Sequence, residues 1–335
     1  MHTFDPKTAV YTPQEVTKYG LEMIRRMEAS KSRGAFLPIE EIGEYFAPVL
    51  PGQICAVIAQ TSNYKSGFCH FWQRALANQL TVQNRLDEAI IHVSVEEGIE
   101  EQSFLYLARE SGEEAGRLAR GHVKDWKSLN IAAAKISGIP IYRLGDSLAR
   151  ADDMPELYLS NIAKGIRSLV DGEITGDPIK PAAIFFDYLQ AFPFDPEVKA
   201  MQAKEMQRRL QVREDIYRMR MAAAAFNCPV IIAVQAKQHL SGAPSDKWQQ
   251  PGIYDGEESS AIAQRADRVI TLWMPKTTSP VNTVLEHGSL TMMVQEYALM
   301  VKVAKQRGGL PAGKTFPCRI EFANNEIELD RSLWQ

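Results

Sequence analysis

From residue 51 onward, short apolar runs alternate with stretches whose apolar residues recur at helical spacing. The run at 54–58 is continuously apolar, as in a strand buried on both faces. After it, apolar positions recur every three or four residues from Phe68 to Leu80, which predicts an amphipathic helix. Further strands are predicted at 89–95, 140–144, 182–186, 230–234, 266–273 and 299–304. This alternation predicts an α/β fold, with a mostly parallel central sheet flanked by helices.

Three longer stretches and both ends of the chain complete the pattern. Helical spacing predicts helices over most of 102–136, over 154–169 and over 201–226. The tail at 316–329 predicts a C-terminal β-hairpin. Residues 1–50 are polar, and Val16, Leu21, Ile24 and Met27 mark one short helix before a break at 31–34. We therefore expect a helical lead-in or linker over 1–50 and one larger domain over 51–335.

Composition and charge narrow the function classes. The 335 residues are 45% hydrophobic and 24% charged, as in an ordinary globular protein, and the net charge is −3. That charge argues against a generally basic nucleic-acid binder, although a ring can still carry a locally basic channel. Because no apolar run reaches the ~18 residues of a membrane span, we expect a cytoplasmic protein without membrane contact. The four cysteines lack C-x-x-C spacing, which favours buried thiols over zinc or disulfides.

A degenerate phosphate-binding motif follows the first apolar run. Residues 59–66 match G-x-x-x-x-G-K-[ST] at Lys65 and Ser66, but Ala59 and Tyr64 replace the two glycines. Strand, polar loop and helix follow in the order that such a loop requires, because a helix N-terminus presents free N–H groups to phosphate. Lys65 would reach the β- and γ-phosphates, and the Ser66 hydroxyl would hold Mg²⁺. The residues predicted to bind nucleotide are Thr61, Ser62, Asn63, Tyr64, Lys65, Ser66 and Gly67.

Polar residues also follow three other predicted strands, at Glu96, Asp187 and Gln235. Ligands of parallel sheets bind at the carboxyl ends of strands, so these side chains are expected near the loop. Asp187 could complete the Mg²⁺ shell, Glu96 could polarise an attacking water, and Gln235 could sense the γ-phosphate. Each has an ordinary alternative: a turn or cap for Asp187, an exposed helix start for Glu96, and a polar strand end for Gln235.

A series of short segments matches one family in order. The segments are Lys65-Ser66, Ser94-Val95-Glu96, Asp187-Tyr188-Leu189-Gln190, Ala233-Val234-Gln235, Gln264-Arg265-Ala266-Asp267 and Ala304-Lys305-Gln306-Arg307. With them, the sequence from about residue 51 to its end resembles the RecA-like motor domain of DnaB-type replicative DNA helicases. The resemblance implies a RecA-like P-loop NTPase core that uses ATP and Mg²⁺. It also implies a ring-like homo-oligomer, expected to be a hexamer, that acts on single-stranded DNA.

The resemblance assigns catalytic roles to matching residues. Lys65 and Ser66 would bind phosphate and Mg²⁺, with Asp187 as the second metal ligand, Glu96 as the catalytic glutamate and Gln235 as the sensor. Lys305 and Arg307 correspond to a basic pair that reaches the nucleotide of a neighbouring subunit, where positive charge stabilises the transition state. Without the family, Lys305 and Arg307 would be interpreted as an exposed basic turn before Gly308.

Departures from the family set further expectations. Tyr64 must point its ring away from the phosphates, because glycine at this position normally lets the backbone approach them. Since only residues 1–50 precede the motor, the separate N-terminal helical domain of the family is expected to be missing. The lead-in would then dock on an adjacent subunit. Replication or mobile-element proteins are possible partners.

Single-stranded DNA would be gripped by loops that face the ring channel. The candidate loops are 193–207 and 237–251, where Lys237, Lys247 and Trp248 would contact phosphate and base, unless they are ordinary surface loops. The leading hypothesis is an ATP-dependent helicase or translocase. The alternative is a nucleotide-gated DNA-binding or recruitment factor that oligomerises but unwinds little. Tyr64 and the expected lack of the N-terminal domain favour this alternative, whereas Glu96 and the basic pair favour the motor.

Overall fold

A nine-stranded mixed sheet forms the framework of the computed structural model. The structure describes residues 11–29, 34–147, 156–193, 204–237, 247–256, 261–287, 290–308 and 310–334. The strands of this sheet are β1 (Ile54–Ala59), β2 (Glu88–Ser94), β3 (Ile141–Leu144), β4 (Lys180–Asp187), β5 (Val230–Gln235), β6 (Arg268–Trp273), β9 (Ala298–Gln306), β10 (Thr315–Glu321) and β11 (Glu326–Leu329). A separate hairpin contains β7 (Val284–His287) and β8 (Leu290–Met293).

The strand order across the sheet is β11-β10-β9-β6-β1-β5-β4-β2-β3. From β6 to β3 every neighbouring pair is parallel, whereas β9, β10 and β11 run antiparallel to their neighbours. The predicted α/β fold with a mostly parallel sheet and a C-terminal hairpin is therefore confirmed. Strand β1 lies between β5 and β6 and is buried along its whole length, as its continuous apolar sequence predicts.

Helices cover both faces of the sheet. They are α1 (Pro13–Ala29), α2 (Glu40–Tyr45), α3 (Lys65–Val82), α4 (Ile99–Ser111), α5 (Ala115–Leu118), α6 (Trp126–Ser137), α7 (Leu159–Val170), α8 (Lys204–Ala225) and α9 (Ala261–Arg265). One apolar cluster packs α2 and α3 against the sheet, and a second packs α7, α8 and α9 on the other face. Both faces of the sheet are therefore covered by mainly apolar packing.

Two predictions about elements differ from the structure. The helix expected over 102–136 is broken into α4, α5 and α6, because Gly112 ends α4 in the left-handed conformation, with φ at 75°. The β7–β8 hairpin was not predicted, since its short strands lack a clear alternation of apolar and polar residues. For the helix predicted over 154–169, the structure describes α7 from Leu159, and residues 148–155 lie outside the described ranges.

The segment 34–50 packs into the same apolar cluster as β1 and α3. Phe46 is fully buried, with its ring centroid 6.0 Å from that of Trp72 in an edge contact. The Trp72 indole N–H donates to the Phe36 carbonyl at 2.6 Å, and Gln306 of β9 bonds to the backbone of Tyr45 and Ala47. Whether a domain boundary lies at residue 50 stays a prediction, but this part of the lead-in shares the core of the larger domain.

Helix α1 differs from that segment. Apolar side chains between residues 16 and 24 are exposed, including Val16 at 59% and Ile24 at 61%. In the described residues no helix is long and apolar enough to cross a membrane. All four cysteines are buried free thiols, as predicted.

Replacing Phe46 with alanine tests whether 34–50 belongs to the core. The cavity left at a fully buried phenylalanine should lower the free energy of unfolding by about 3–5 kcal/mol. Val16→Ala on exposed α1 is the control and should change it by less than about 0.5 kcal/mol. Urea unfolding followed by circular dichroism measures both. Equal effects of the two substitutions would show that 34–50 is not part of the core.

Candidate functional site

The carboxyl ends of four parallel strands bring the predicted site residues together at one edge of the sheet. In the register, Ala59 at the end of β1 is paired with Gln235 of β5. Ser94 at the end of β2 is paired with Asp187 of β4. The phosphate-loop candidate leaves β1 at this edge and enters α3 at Lys65. A cavity of about 660 Å³ lies above the loop, and its lining includes Gln60, Lys65, Glu96, Glu101 and Gln235.

Lys65 is buried beneath this cavity, with 9% of its surface exposed. Its Nζ lies 3.3 Å from Gln235 Oε1 and 3.9 Å above the centroid of the Tyr188 ring. Burial lowers the pKa of Lys65, and the carboxylates of Asp187 and Glu96 oppose that shift. An ammonium that is partly stripped of water next to an open cavity is suited to bind phosphate oxygens.

Asp187 has the properties of a metal ligand. It is 4% exposed, and among the described residues its Oδ1 has no hydrogen-bond partner. Burial raises its pKa, whereas Lys65 and a hydrogen bond from Ser66 favour the charged form. A buried carboxylate oxygen without a partner beside a serine hydroxyl is a donor set that fits Mg²⁺. The peptide bond between Asp187 and Tyr188 is cis.

Two adjacent glutamates line the cavity above the loop. Glu96 is exposed, and Glu97 is partly buried. Burial, together with the charges of Asp187 and Glu96, raises the pKa of Glu97 to about 7. The sequence analysis assigned a role to Glu96 and none to Glu97. Its only signal in the sequence is a second carboxylate immediately after the first.

Glutamine side chains fix the position of Gln235. Its Nε2 donates to Thr61 Oγ1 at 2.8 Å, which ties β5 to the loop. The backbone N–H of Gln235 donates to Gln190 Oε1 at 3.0 Å, and Gln190 Nε2 reaches the Gln235 carbonyl at 3.3 Å. Gln235 therefore connects the loop, Lys65 and the segment after Asp187, which is the position a sensor of loop contents needs. Gln190 has a positioning role that the sequence interpretation did not assign.

Asn63 anchors the loop rather than presenting its side chain to the cavity. It is 1% exposed, and its Oδ1 accepts from the Met274 N–H at 2.6 Å, just beyond β6. Its backbone N–H donates to the Gln60 carbonyl at 3.2 Å in a turn. Both donor and acceptor groups of Asn63 thus already have partners within the protein.

The Tyr64 side chain extends from the loop to the turn between β10 and β11. Tyr64 is the N-cap of α3, with φ at 63° and ψ at 25°, a left-handed conformation. Its hydroxyl donates to Asn325 Oδ1 at 2.5 Å, in the turn between β10 and β11. Its ring makes an edge contact with Phe322 at 5.6 Å between centroids. A residue far along the chain therefore holds the side chain that replaces the motif's glycine.

Gly67 provides the space that the Tyr64 ring occupies. A Cβ atom at position 67 would lie 2.7 Å from the ring, closer than atoms can pack. Asn325 also contacts this residue, because its Nδ2 donates to the Gly67 carbonyl at 3.2 Å. The contact among Tyr64, Gly67 and Asn325 will be called the tyrosine latch. The latch holds residue 64 in one position, where the motif's glycine would leave the backbone free to adjust.

Lys305 and Arg307 lie at the opposite edge of the sheet. Strand β9 is antiparallel to β6, so its end is beside the start of β6, where Arg307 pairs with Asp267 at 3.4 Å. Lys305 donates to the carbonyls of Ala263 and Ala266. The 6 residues of β1 separate this edge from the loop by about 20 Å. The pair is therefore not next to the loop of its own chain.

The predicted DNA-contacting residues lie only partly in the described ranges. Residues 238–246 and 194–203 of the two candidate loops are outside them. Lys237 Nζ donates to the Tyr254 carbonyl at 3.1 Å, and Lys247 is exposed. Trp248 packs edge-on against Trp273 and stacks on His287 with 4.4 Å between centroids. Much of the Trp248 ring is thus engaged in packing, and the assignment to DNA stays a prediction.

Known proteins share both the sequence pattern and the fold. The sequence matches the model of the DnaB-like helicase C-terminal domain family over residues 39–327. The fold is similar to that of a DnaB-like replicative helicase whose structure describes its interactions with primase. Their identity is 17%, the alignment covers 92% of this chain and 67% of that one, and the TM-score is 0.69. It is also similar to a second solved structure, an ATPase domain, at 17% identity, 93% and 98% coverage, and a TM-score of 0.68. Among curated protein sequences, none matches.

A double-mutant cycle tests the tyrosine latch. Gly67→Ala brings a methyl group into the Tyr64 ring and should lower the free energy of unfolding by about 1–3 kcal/mol. In a Tyr64→Gly background the same substitution meets open space, so its cost should nearly disappear. Urea unfolding of the four proteins gives the coupling energy. Effects that add within about 0.5 kcal/mol would contradict the contact.

Glu97 should make stability depend on pH in the absence of Mg²⁺. In the folded protein the Glu97 carboxyl keeps its proton up to about pH 7, whereas the ordinary pKa of a glutamate is 4.5. Because the folded state binds more protons between these values, the free energy of unfolding should fall as pH rises from about 4.5 to about 7. Glu97→Gln should flatten that slope, measured from unfolding at successive pH values in EDTA. An unchanged slope in Glu97→Gln would refute the shift.

Proposed function

Because this chain belongs to the family of DnaB-like helicase C-terminal domains, we propose that it is an ATP-dependent motor on single-stranded DNA. It would work as a ring-like homo-oligomer, with a hexamer as the expected size. The observation that carries this proposal is the division of the ATPase residues between the two edges of one sheet. Five of these residues lie at the carboxyl ends of the parallel strands: Lys65, Ser66, Glu96, Asp187 and Gln235. The basic pair, Lys305 and Arg307, lies at the opposite edge of the sheet.

In this proposal the loop binds ATP as the substrate. Lys65 neutralises phosphate charge from below the cavity, and the free N–H groups at the start of α3 add a partial positive charge. Glu96, which is exposed in the cavity, takes the proton of the attacking water. Ser66 and Asp187 are the residues that would hold Mg²⁺, which supplies charge neutralisation at the phosphates when it is bound.

The basic pair supports catalysis between subunits. A strand's length, about 20 Å, separates Lys305 and Arg307 from their own loop, so a direct role requires the loop of another copy. A guanidinium brought to the transferring phosphoryl group stabilises charge that develops in the transition state. Hydrolysis would then occur only in assembled subunits. In the isolated chain, Arg307 bonds to Asp267 and to the Gln264 carbonyl, contacts that it would exchange on assembly.

Helix α1 supports assembly through the lead-in. Its sequence is amphipathic, and residues such as Val16, Leu21 and Ile24 are exposed in the single chain. Exposed apolar side chains in regular helical order are expected to be covered by another surface. We propose that α1 docks on an adjacent subunit, as a linker segment of a ring would. Lys237 and Lys247 would contact the DNA strand in the channel.

The tyrosine latch favours a second candidate function. It fixes a loop that glycine would leave adjustable, so the protein would still bind nucleotide but hydrolyse it slowly. The protein would then be a nucleotide-gated assembly or recruitment factor on DNA. The two functions differ in steady-state ATP hydrolysis. A motor is stimulated by single-stranded DNA, whereas a recruitment factor forms ATP-dependent oligomers with no DNA-stimulated turnover.

Complementation between two inactive variants tests the shared site. Lys65→Ala should abolish nucleotide binding, whereas Arg307→Ala should bind nucleotide normally and lose hydrolysis by a factor of about 10³ or more. A mixture of the two should regain part of the DNA-stimulated ATPase rate, because some interfaces then combine an intact loop with an intact Arg307. Arg331→Ala, which removes an exposed arginine, is the control and should retain full activity. If the mixture is as inactive as each variant alone, Arg307 does not act at the loop of a neighbouring subunit.

A further inference from the structure

Two arginines from different parts of the chain share one buried carboxylate at the edge of the sheet opposite the loop. Asp267 lies just before β6, and its side chain is only 6% exposed. Its Oδ2 accepts from Arg220 Nη1 of α8 at 3.3 Å, and its Oδ1 accepts from Arg307 Nη1 at 3.4 Å. In the proposed function Arg307 must leave this carboxylate to reach a neighbouring subunit, so its release depends on what keeps Asp267 paired.

Strand β1 fixes the Asp267 carboxylate in place. Its Oδ2 also accepts the Ile54 N–H at 3.0 Å, and the Asp267 N–H donates to the Ile54 carbonyl at 2.8 Å. Ile54 begins β1, which is buried along its whole length. Because both bonds are made to a buried strand, the carboxylate cannot follow a departing arginine. It needs a cation that stays, since removing one partner of a buried ion pair leaves an uncompensated charge.

Arg307 has a fixed backbone and an accessible side chain. Its N–H donates to the Asp267 carbonyl at 3.0 Å. Arg268 Nη1 donates to the carbonyls of Asp267 at 3.2 Å and Arg307 at 3.3 Å, which holds the two segments together. The Arg307 side chain is nevertheless 45% exposed. A rotation of this side chain is therefore sufficient to release its guanidinium, without any change in the strand.

Arg220 is held at the same carboxylate by a helix that packs on the sheet. Its Nη1 also donates to the Arg265 carbonyl at 3.0 Å, at the end of α9. One side of α8 is buried in the second apolar cluster, through Val212, Ile216, Met219 and Ala223. This packing fixes the backbone of α8 close to the start of β6. Arg220 can therefore remain on Asp267 while Arg307 moves.

Positive charge is crowded around this carboxylate. Besides the two arginines, Lys305 lies close by and donates to the carbonyls of Ala263 and Ala266. Burial and the charge of Arg307 lower the pKa of Lys305, whereas the charge of Asp267 opposes that shift. Moving one arginine away thus relieves repulsion between cations and still leaves Asp267 paired with the other. The release of Arg307 is therefore easy only as long as Arg220 stays.

We propose that Arg220 is a positioning residue for Arg307: it keeps Asp267 paired and so allows Arg307 to leave for the nucleotide of a neighbouring subunit. Asp267 is the counter-ion that the two arginines share. It holds Arg307 in the single chain and gives it up in the assembly. The inference rests on the proposed action of Arg307 in trans. Without Arg220, Asp267 would retain Arg307, and the guanidinium would stay on its own chain.

A double-mutant cycle on the full chain tests the shared counter-ion without any ATP hydrolysis. Arg307→Met alone should change the folding equilibrium constant little, because Arg220 still pairs with Asp267. In an Arg220→Met background the same substitution removes the second arginine from a buried carboxylate. It should then lower the folding equilibrium constant by about a further tenfold or more. Urea unfolding of the four proteins measures this coupling, and effects that simply add would overturn the inference.

Steady-state ATP hydrolysis with single-stranded DNA tests the release of Arg307. Arg220→Met should lower kcat about tenfold or more, because Asp267 then retains Arg307. The affinity for a non-hydrolysable ATP analogue should not change, since the loop lies at the other edge of the sheet. Arg220→Lys keeps a cation near Asp267 and should restore most of the rate. Arg218→Met removes another arginine of α8, one that pairs with Glu214, and as the control it should change neither quantity.

Asp267→Asn distinguishes this role from a direct contact between Arg220 and the nucleotide. The asparagine oxygen can still accept the Ile54 N–H, but no charge holds Arg307. Added to Arg220→Met, this substitution should restore most of kcat, and no recovery would overturn the inference. Should the double variant fail to fold, a rate for Arg220→Lys as low as that of Arg220→Met overturns it instead.

The outcomes separate this inference from the proposed function. If Arg220→Met hydrolyses ATP at the wild-type rate while Arg307→Ala is inactive, the role of Arg220 is overturned and the proposed function stands. If Arg307→Ala hydrolyses ATP at the wild-type rate, the proposed action in trans fails, and the role of Arg220 fails with it.

Discussion

The loop after β1 enters α3 at Lys65 through a left-handed residue, Tyr64, and that conformation costs a tyrosine about 1–2 kcal/mol. The strain is offset because the ring has a place over Gly67 and the hydroxyl has a partner in Asn325. The rest of the site depends on this contact. Lys65 follows Tyr64 directly, so the latch fixes where the ammonium enters the cavity.

The sheet separates the candidate site residues so that no single chain completes the proposed site. Parallel pairing of β1, β4 and β5 places Lys65, Asp187 and Gln235 at one edge. Antiparallel β9 returns to the other edge and leaves Arg307 beside Asp267. The same topology that buries β1 on both faces therefore makes assembly a condition of the proposed hydrolysis. The exposed apolar side of α1 fits that requirement, because a segment outside the core is free to reach another copy.

Periodicity was sufficient to predict the sheet, since buried parallel strands such as 54–58 are continuously apolar. The family and the fold class expected from ordered motifs are both confirmed. The sequence could not show where the Tyr64 ring goes, because its partner Asn325 is 261 positions away and nothing local marks that contact. The helix break at Gly112 was missed because the apolar spacing continues beyond it.

In the proposed site, the altered loop still holds the phosphates of ATP while Tyr64 remains latched. A crystal structure of the chain with Mg²⁺ and a non-hydrolysable ATP analogue tests it most directly. We expect the triphosphate against Lys65 and Ser66, with the Tyr64 ring still over Gly67 and its hydroxyl bonded to Asn325. A Tyr64 ring swung into the phosphate cavity, or an analogue bound away from Lys65, would contradict it.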